Sequence, residues 1–223
     1  MVGCAWTGGT GGRPCGGSIA GVEVRGPSLT LRYAGPDDPP AMFELARDPE
    51  VTRFFAWGYE RPQEAAEWIA GLPARRDAGE LLDFLVVHRE RGIVGVTGLS
   101  ELSRRDRRAT VGTWFGRAHW GTGANRESKA LIAALAFGPL GLERLTAYTS
   151  TGNPRSQAAL ERAGFAREGE LRAFHRHPSG VHDVTVFGLL RSDWEASPLH
   201  EVPVQIDGEP PPAFVVSAAS RPS

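Results

Sequence analysis

The sequence predicts an α/β protein with a central mixed, twisted sheet of about six to seven strands flanked by helices. One observation predicts it and two others remove competing classes. Strand-type alternation and helix-type spacing follow one another along the middle of the chain in the order β-α-α-β-β-β-α-β-α-β-β. Cysteine occurs only at Cys4 and Cys15, so neither a disulfide framework nor a cysteine metal cluster organises the body, and a reducing, cytoplasmic compartment is expected. The longest uncharged stretch outside the N-terminal segment, Ala130 to Leu142, is 13 residues long and contains glycine and proline, short of the ~20 apolar residues that span a membrane.

Charge narrows the partners. Lysine plus arginine, 25, balances aspartate plus glutamate, 26, so no global field draws the chain to nucleic acid or to an anionic membrane surface. Residues 1–27 are glycine-rich and 196–223 proline-rich, and both lack periodicity. They read as a flexible head and tail around a folded domain at 28–195. Val202 to Ile206 and Phe214 to Val216 are the tail segments able to add an edge strand, with a loose tail the plainer expectation.

Each element has its own signal. Ser28 to Tyr33 alternates as a strand, and Pro36, Asp37 and Asp38 open a helix through Met42, Leu45 and Ala46 that closes at Asp48-Pro49. Pro62 opens a second helix whose Ala65, Trp68, Ile69 and Leu72 share one face and which is expected to end before Pro73. Asp83 to Arg89, Ile93 to Leu99 and Ala109 to Phe115 read as strands, the first two joined tightly at Arg91-Gly92. Asn125 to Phe137 reads as a helix stopped by Gly138-Pro139. Then come a strand at Arg144 to Thr149, a helix at Pro154 to Ala163 closed by Gly164, and strands at Phe165 to Leu171 and Val184 to Leu190.

The segment that carries chemistry is Trp114 to Lys129, WFGRAHWGTGANRESK. Gly121 and Gly123 let the backbone turn tightly and approach a ligand without Cβ interference, and the helix that follows offers unpaired N–H groups and a partial positive charge. Gly121, Thr122, Gly123, Ala124, Asn125 and Arg126 therefore form a candidate pyrophosphate cradle. Taken alone, Gly-x-Gly before a helix is more often a plain connection. It is neither the dinucleotide fingerprint, whose third glycine would fall at Arg126, nor a Walker loop.

A second segment raises the odds. From Thr149 the chain reads TSTGNPRSQAALERAGFAREGELR, and together the two segments resemble the GNAT superfamily of N-acetyltransferases. In particular they resemble the RimJ/RimL-like branch that acetylates N-terminal amines of ribosomal proteins, with its relatives that modify small amines. Asn153, Ser156, Leu160, Gly164, Phe165, Glu168 and Gly169 match the branch pattern, and the likeness spans about Ser28 to Trp194. The first segment departs from the form R/Q-x-x-G-x-G/A, with Trp120 at the Arg/Gln position and Asn125 at the second small residue; Glu127 matches a frequent glutamate.

The resemblance implies acetyl-CoA as co-substrate, no metal, and a cleft opened by two splayed parallel strands, here Ala109 to Phe115 and Arg144 to Thr149. Backbone groups near Trp114 and Phe115 would pair with the pantetheine arm as an added strand; as side chains, both read equally as core aromatics. Asn153 would contact CoA, while Arg126, Lys129 and Arg155 are candidate phosphate contacts or solvated helix residues. Ser156 would protonate the leaving thiolate, although Ser and Asn favour helix first turns regardless of catalysis.

The acceptor's proton acceptor is expected at His175, where some relatives carry an acidic residue, with Glu101 as runner-up. A solvent-facing loop histidine is the plain alternative. A glutamate common on the third body strand of relatives is replaced here within Thr110 to Thr113, which leaves the acceptor open between the usual N-terminal amine and another amine. His175 to His182 and Phe54 to Tyr59 would line its pocket. The expected function is direct transfer of an acetyl group to a primary amine, a small molecule or a protein N-terminus, in a ternary complex. Two other readings stand beside it: a degenerate acyl-CoA-binding module, and transfer from another acyl-CoA or an aminoacyl-tRNA. Arg104, Arg105, Arg107 and Arg108 support only the last, and a solvated hairpin tip is the plainer reading. A homodimer is allowed for.

Overall fold

The structure, a computed structural model, describes residues 21–55, 58–177 and 180–216. Cys4 and Cys15 lie outside them, as do Ala56, Trp57, Pro178 and Ser179 of the two expected pocket segments.

The mixed sheet is present, with nine strands among the described residues rather than six to seven. In chain order they are β1 Glu23–Arg25, β2 Leu29–Arg32, β3 Leu81–His88, β4 Gly92–Ser103, β5 Arg108–Phe115, β6 Arg144–Ser150, β7 Ala166–His177, β8 Gly180–Leu190 and β9 Gln205–Asp207. They lie in the order β7-β8-β6-β5-β4-β3-β2-β1-β9, antiparallel except where β5 runs parallel to β6. The helices are α1 Pro39–Ala46, α2 Pro49–Thr52, α3 Pro62–Asp77, α4 Ala124–Phe137, α5 Pro154–Arg162 and α6 Arg191–Glu195.

Both faces are covered by helices that the apolar pattern selects. Met42 of α1 and Ala65 and Ile69 of α3 pack on Leu85 and Val96, while Leu131, Leu135 and Phe137 of α4 pack on the other face with Leu29, Phe84, Val86 and Leu145. Helix α3 does not stop at Pro73 but runs through it to Asp77. The helix packs on β3, and tertiary packing outweighs the one backbone bond that proline removes.

The described parts of the segments flanking 28–195 contribute two short strands to the sheet and buried side chains to its core. β1 pairs with both β2 and β9, and Leu199, Phe214 and Val216 are buried in the main core. Arg104, from the expected solvated tip, holds the C-terminal segment down, while the neighbouring arginines bond elsewhere. Arg104 donates to the carbonyls of Pro212 at 2.9 Å and Ala213 at 2.7 Å, and Arg107 to that of Gly141 at 2.7 Å. Arg105 and Arg108 pair with Asp106.

The last hairpin is longer than expected. Strand β7 extends to His177 and β8 begins at Gly180, so His175 lies on a strand and not in a loop. A bulge interrupts the pairing between Leu171 and His175, where Ala173 takes φ 52° and its N–H donates to the Asp183 carboxylate at 2.7 Å.

Candidate active site

The sheet opens between β5 and β6. Their parallel register covers only Arg108 to Thr110 against Arg144 to Thr146. Beyond it β5 stays paired with β4 through Phe115 and β6 with β8 through Ser150, so the edges that face each other across the gap are not bonded to each other. Such a gap accepts an extended ligand as an added strand.

At the mouth of the gap the chain leaves β5 through a short 3₁₀ turn, Arg117–His119, and reaches the glycine turn. Gly121 has φ 75° and Gly123 φ 89°, conformations that suit glycine, and space is open where a Cβ would project from either. Gly123 caps α4 with no side-chain acceptor. Among the described residues the amides of Gly121, Thr122, Gly123, Ala124 and Asn125 donate to no protein acceptor, while those of Arg126 and Glu127 return to the Gly123 carbonyl. Five unpaired donors at the positive end of a 14-residue helix suit a diphosphate.

Trp120, at the motif position where Arg or Gln is expected, has two contacts. Its indole N–H donates to the Phe115 carbonyl at 2.8 Å, and the Arg155 guanidinium lies 3.3 Å from its ring centroid. The first contact engages one of the backbone groups expected to meet pantetheine, leaving the stretch before Phe115 for strand addition. The second places a cation from the first turn of α5 beside the amide turn, although the motif position itself carries none. Burial pulls the Arg155 pKa down.

The other expected phosphate contacts are differently engaged. Arg126 leans to the Pro198 carbonyl at 3.4 Å. Lys129 is buried, and its ammonium donates to the Asn125 side chain at 3.0 Å. Glu127 accepts from the backbone of Ser28 at 2.7 Å and of Leu29 at 2.8 Å and from the Ser28 hydroxyl, so it ties the start of β2 to α4. Trp114 packs with the α1 and α3 cluster, and Phe115 is buried in the main core.

Asn153 caps α5, its side-chain oxygen accepting the Ser156 amide at 3.1 Å. The Ser156 hydroxyl is half-buried and bonds to no described residue. It is next in sequence to Arg155, on the first turn of the helix whose Arg155 contacts Trp120.

A cavity of about 480 Å³ is lined by Arg53, Phe54, Ser150, Thr151, Gly152, His177 and His182. Both expected wall segments contribute to it. His175 does not line it. Its ring stands edge-on to Phe174 and Tyr148, with centroids at 5.0 and 6.3 Å. Burial, then the neighbouring His182 and His175, lowers the His177 pKa. Glu101, at φ 52° beside a bulge in β4, accepts the Thr110 hydroxyl at 2.6 Å. Sequence reasoning missed Arg53 and Ser150 to Gly152, which carry no motif signal. Among the described residues no group of three or more His, Cys, Asp or Glu could hold a metal ion, and no helix is long and apolar enough to cross a membrane.

A sheet parted between two parallel strands, with an amide-lined turn leading into a helix at the parting, fits a CoA-dependent acyltransferase architecture. The chain belongs to the GNAT family: the acetyltransferase (GNAT) domain matches residues 28–166. An uncharacterized N-acetyltransferase of Bacillus licheniformis, p20, is 27% identical over 168 residues, 74% of this chain and 94% of that protein. Among solved structures, Mycobacterium smegmatis RimJ in complex with CoA-disulfide superposes with a TM-score of 0.71 at 20% identity, covering 80% of this chain and 90% of that one. Spermidine N-acetyltransferase from Vibrio cholerae, in complex with CoA and spermine, gives 0.66 at 21%, covering 75% and 98%. At these identities the two structures speak for the fold. The protein is an acetyltransferase.

Proposed function

We propose that the protein moves the acetyl group of acetyl-CoA directly to a primary amine, in a small molecule or at a protein N-terminus, with both substrates bound together. The observation that carries this reading is the run of five unpaired amides from Gly121 to Asn125 at the mouth of the β5/β6 gap, held by the Trp120 and Arg155 contact against the helix that bears Ser156. The diphosphate lies on those amides with Arg155 beside them, and the pantetheine arm runs into the gap along β5. The amine nitrogen attacks the thioester carbonyl carbon, the C–N bond forms, the C–S bond breaks, and the Ser156 hydroxyl relays a proton to the departing sulfur. No enzyme nucleophile is involved. The acceptor enters from the cavity walled by Arg53, Phe54, His177 and His182, a lining without a carboxylate.

Calorimetry with acetyl-CoA, then thiol release against a panel of peptides, polyamines and amino-bearing antibiotics, tests the reading. Saturable binding and amine-dependent thiol release are expected. Ser156→Ala should lower kcat about tenfold or more with little change in acetyl-CoA affinity. Unchanged turnover removes Ser156 from the mechanism, and CoA binding without any acetylated product leaves only a binding module.

A further inference from the structure

One carboxylate near the gap belongs to no motif. Asp83 interrupts the apolar run of β3, and its cross-strand neighbour on β4 is Gly98, whose own neighbour on β5 is Gly112. Both glycines leave room on the α1 and α3 face. At Gly98 that room is taken by Asp83, because a Cβ there would fall 1.7 Å from Oδ1 of the carboxylate. The Asp83 side chain therefore leans across β4 toward β5. At Gly112 the room is empty, with nothing within 4 Å of the Cβ position, and the residue is exposed in mid-sheet. Neighbouring strands lie ~4.8 Å apart, so the carboxylate ends about one strand spacing from that opening. Thr110 still faces Thr146 at the last paired position, and two residues further Gly112 and Tyr148 stand where the strands part. Asp83, Gly98 and Gly112 thus form a trough that leads from a carboxylate into the gap.

The carboxylate is deep yet reachable. Asp83 remains partly exposed to solvent, and among the described residues no donor hydrogen-bonds it. A buried ionised group without a donor is costly and is retained where a ligand supplies the partner. The alternatives on this side are committed elsewhere: Glu101 to the Thr110 hydroxyl, His175 to the rings of Phe174 and Tyr148. We infer that Asp83 receives the acceptor's primary ammonium at the floor of the Gly98–Gly112 trough and takes its proton before acetyl transfer.

This inference rests on the acetyltransferase reading. The proton balance is complete: R–NH3+ gives one proton to the Asp83 carboxylate, the neutral amine attacks the thioester, the second nitrogen proton leaves as the thiolate is protonated, and Asp83 returns its proton to solvent. Burial pushes the Asp83 carboxyl up to about 7, against the pull of Arg75 and Arg76 of α3, so both forms are populated near neutrality. Tyr59, from the loop before α3, also faces it. Burial, then the Asp83 and Glu64 charges, raises that phenol to about 12, so it stays neutral through this range.

The test reads the carboxyl directly. In protein saturated with CoA, the Asp83 side-chain 13C signal is titrated with and without butylammonium chloride, assigned with Asp83→Asn or, if that does not fold, with Asp83→Glu. Butylammonium should lower the Asp83 midpoint by one unit or more. A midpoint that does not move in CoA-bound protein overturns the inference, whereas failure to bind CoA overturns the acetyltransferase reading instead. With the fastest amine of the panel, kcat/KM should rise with pH through about 7, and Asp83→Asn should remove that limb and lower kcat/KM about 100-fold. An Asp83→Asn enzyme that keeps the wild-type limb and rate also overturns it.

Discussion

Lys129 is the single lysine of the chain, and it is 6% exposed on the inner face of α4. Its one hydrogen bond goes to the neutral Asn125 side chain, and burial lowers its pKa from 10.5 to about 8. At ~1.4 kcal/mol per unit, the charged form costs the folded state about 3 kcal/mol. The sign follows from proton binding: between about 8 and 10.5 the unfolded chain holds the proton and the folded one has released it, so stability rises with pH across that window. Below about 8 both states are charged and the full penalty applies. Lys129→Met fills a similar volume and carries no charge, so at pH 7 it should stabilise the protein by about 2–3 kcal/mol, with the gain shrinking to under about 1 kcal/mol at pH 10. Urea unfolding of both proteins at the two pH values measures this. Because only one lysine is present, its 13Cε signal can be titrated without assignment and should turn over near 8. A midpoint near 10.5, or a variant less stable than wild type by the same amount at both pH values, would refute the reasoning.

Other perturbations read other parts of the molecule. Glu127→Ala strands the amides of Ser28 and Leu29 and should cost about 2–4 kcal/mol, seen as a lower urea midpoint at unchanged slope. Gly123→Ala puts a side chain at φ 89° in open space, so it should cost only ~1–2 kcal/mol in stability while weakening acetyl-CoA binding by calorimetry, because the amide cradle loses its geometry. Phe214→Ala, at a fully buried position in the segment expected to be loose, should destabilise by about 3–5 kcal/mol in thermal or urea melts. A loose tail would give no change.

The strands and helices that face the core were legible because their burial imposes a period. Ala65, Ile69 and Leu72 on α3 and the apolar runs of β3 and β4 are found where the pattern puts them. What escaped was held by contacts with no local period. β1 and β9 are three residues each, and their stability comes from pairing with each other and with β2. Phe214 is buried under arginine hydrogen bonds to backbone carbonyls more than a hundred residues away in sequence. The β7–β8 extension is exposed along nearly its whole length, so burial imposed no apolar alternation on it. In the site, the glycine turn and the N-x-x-S segment were readable because backbone conformation and helix capping demand particular residue types. The stack of Arg155 on Trp120 and the carboxylate over Gly98 join residues that only the folded sheet brings together.

Because β9 pairs outside β1, residue 207 stands on the border of the sheet, five strand spacings from β5. At ~4.8 Å per spacing that border is about 24 Å from the parted strands. A dye or surface linkage attached near Asp207 can therefore immobilise or report on the molecule while leaving substrate entry unobstructed.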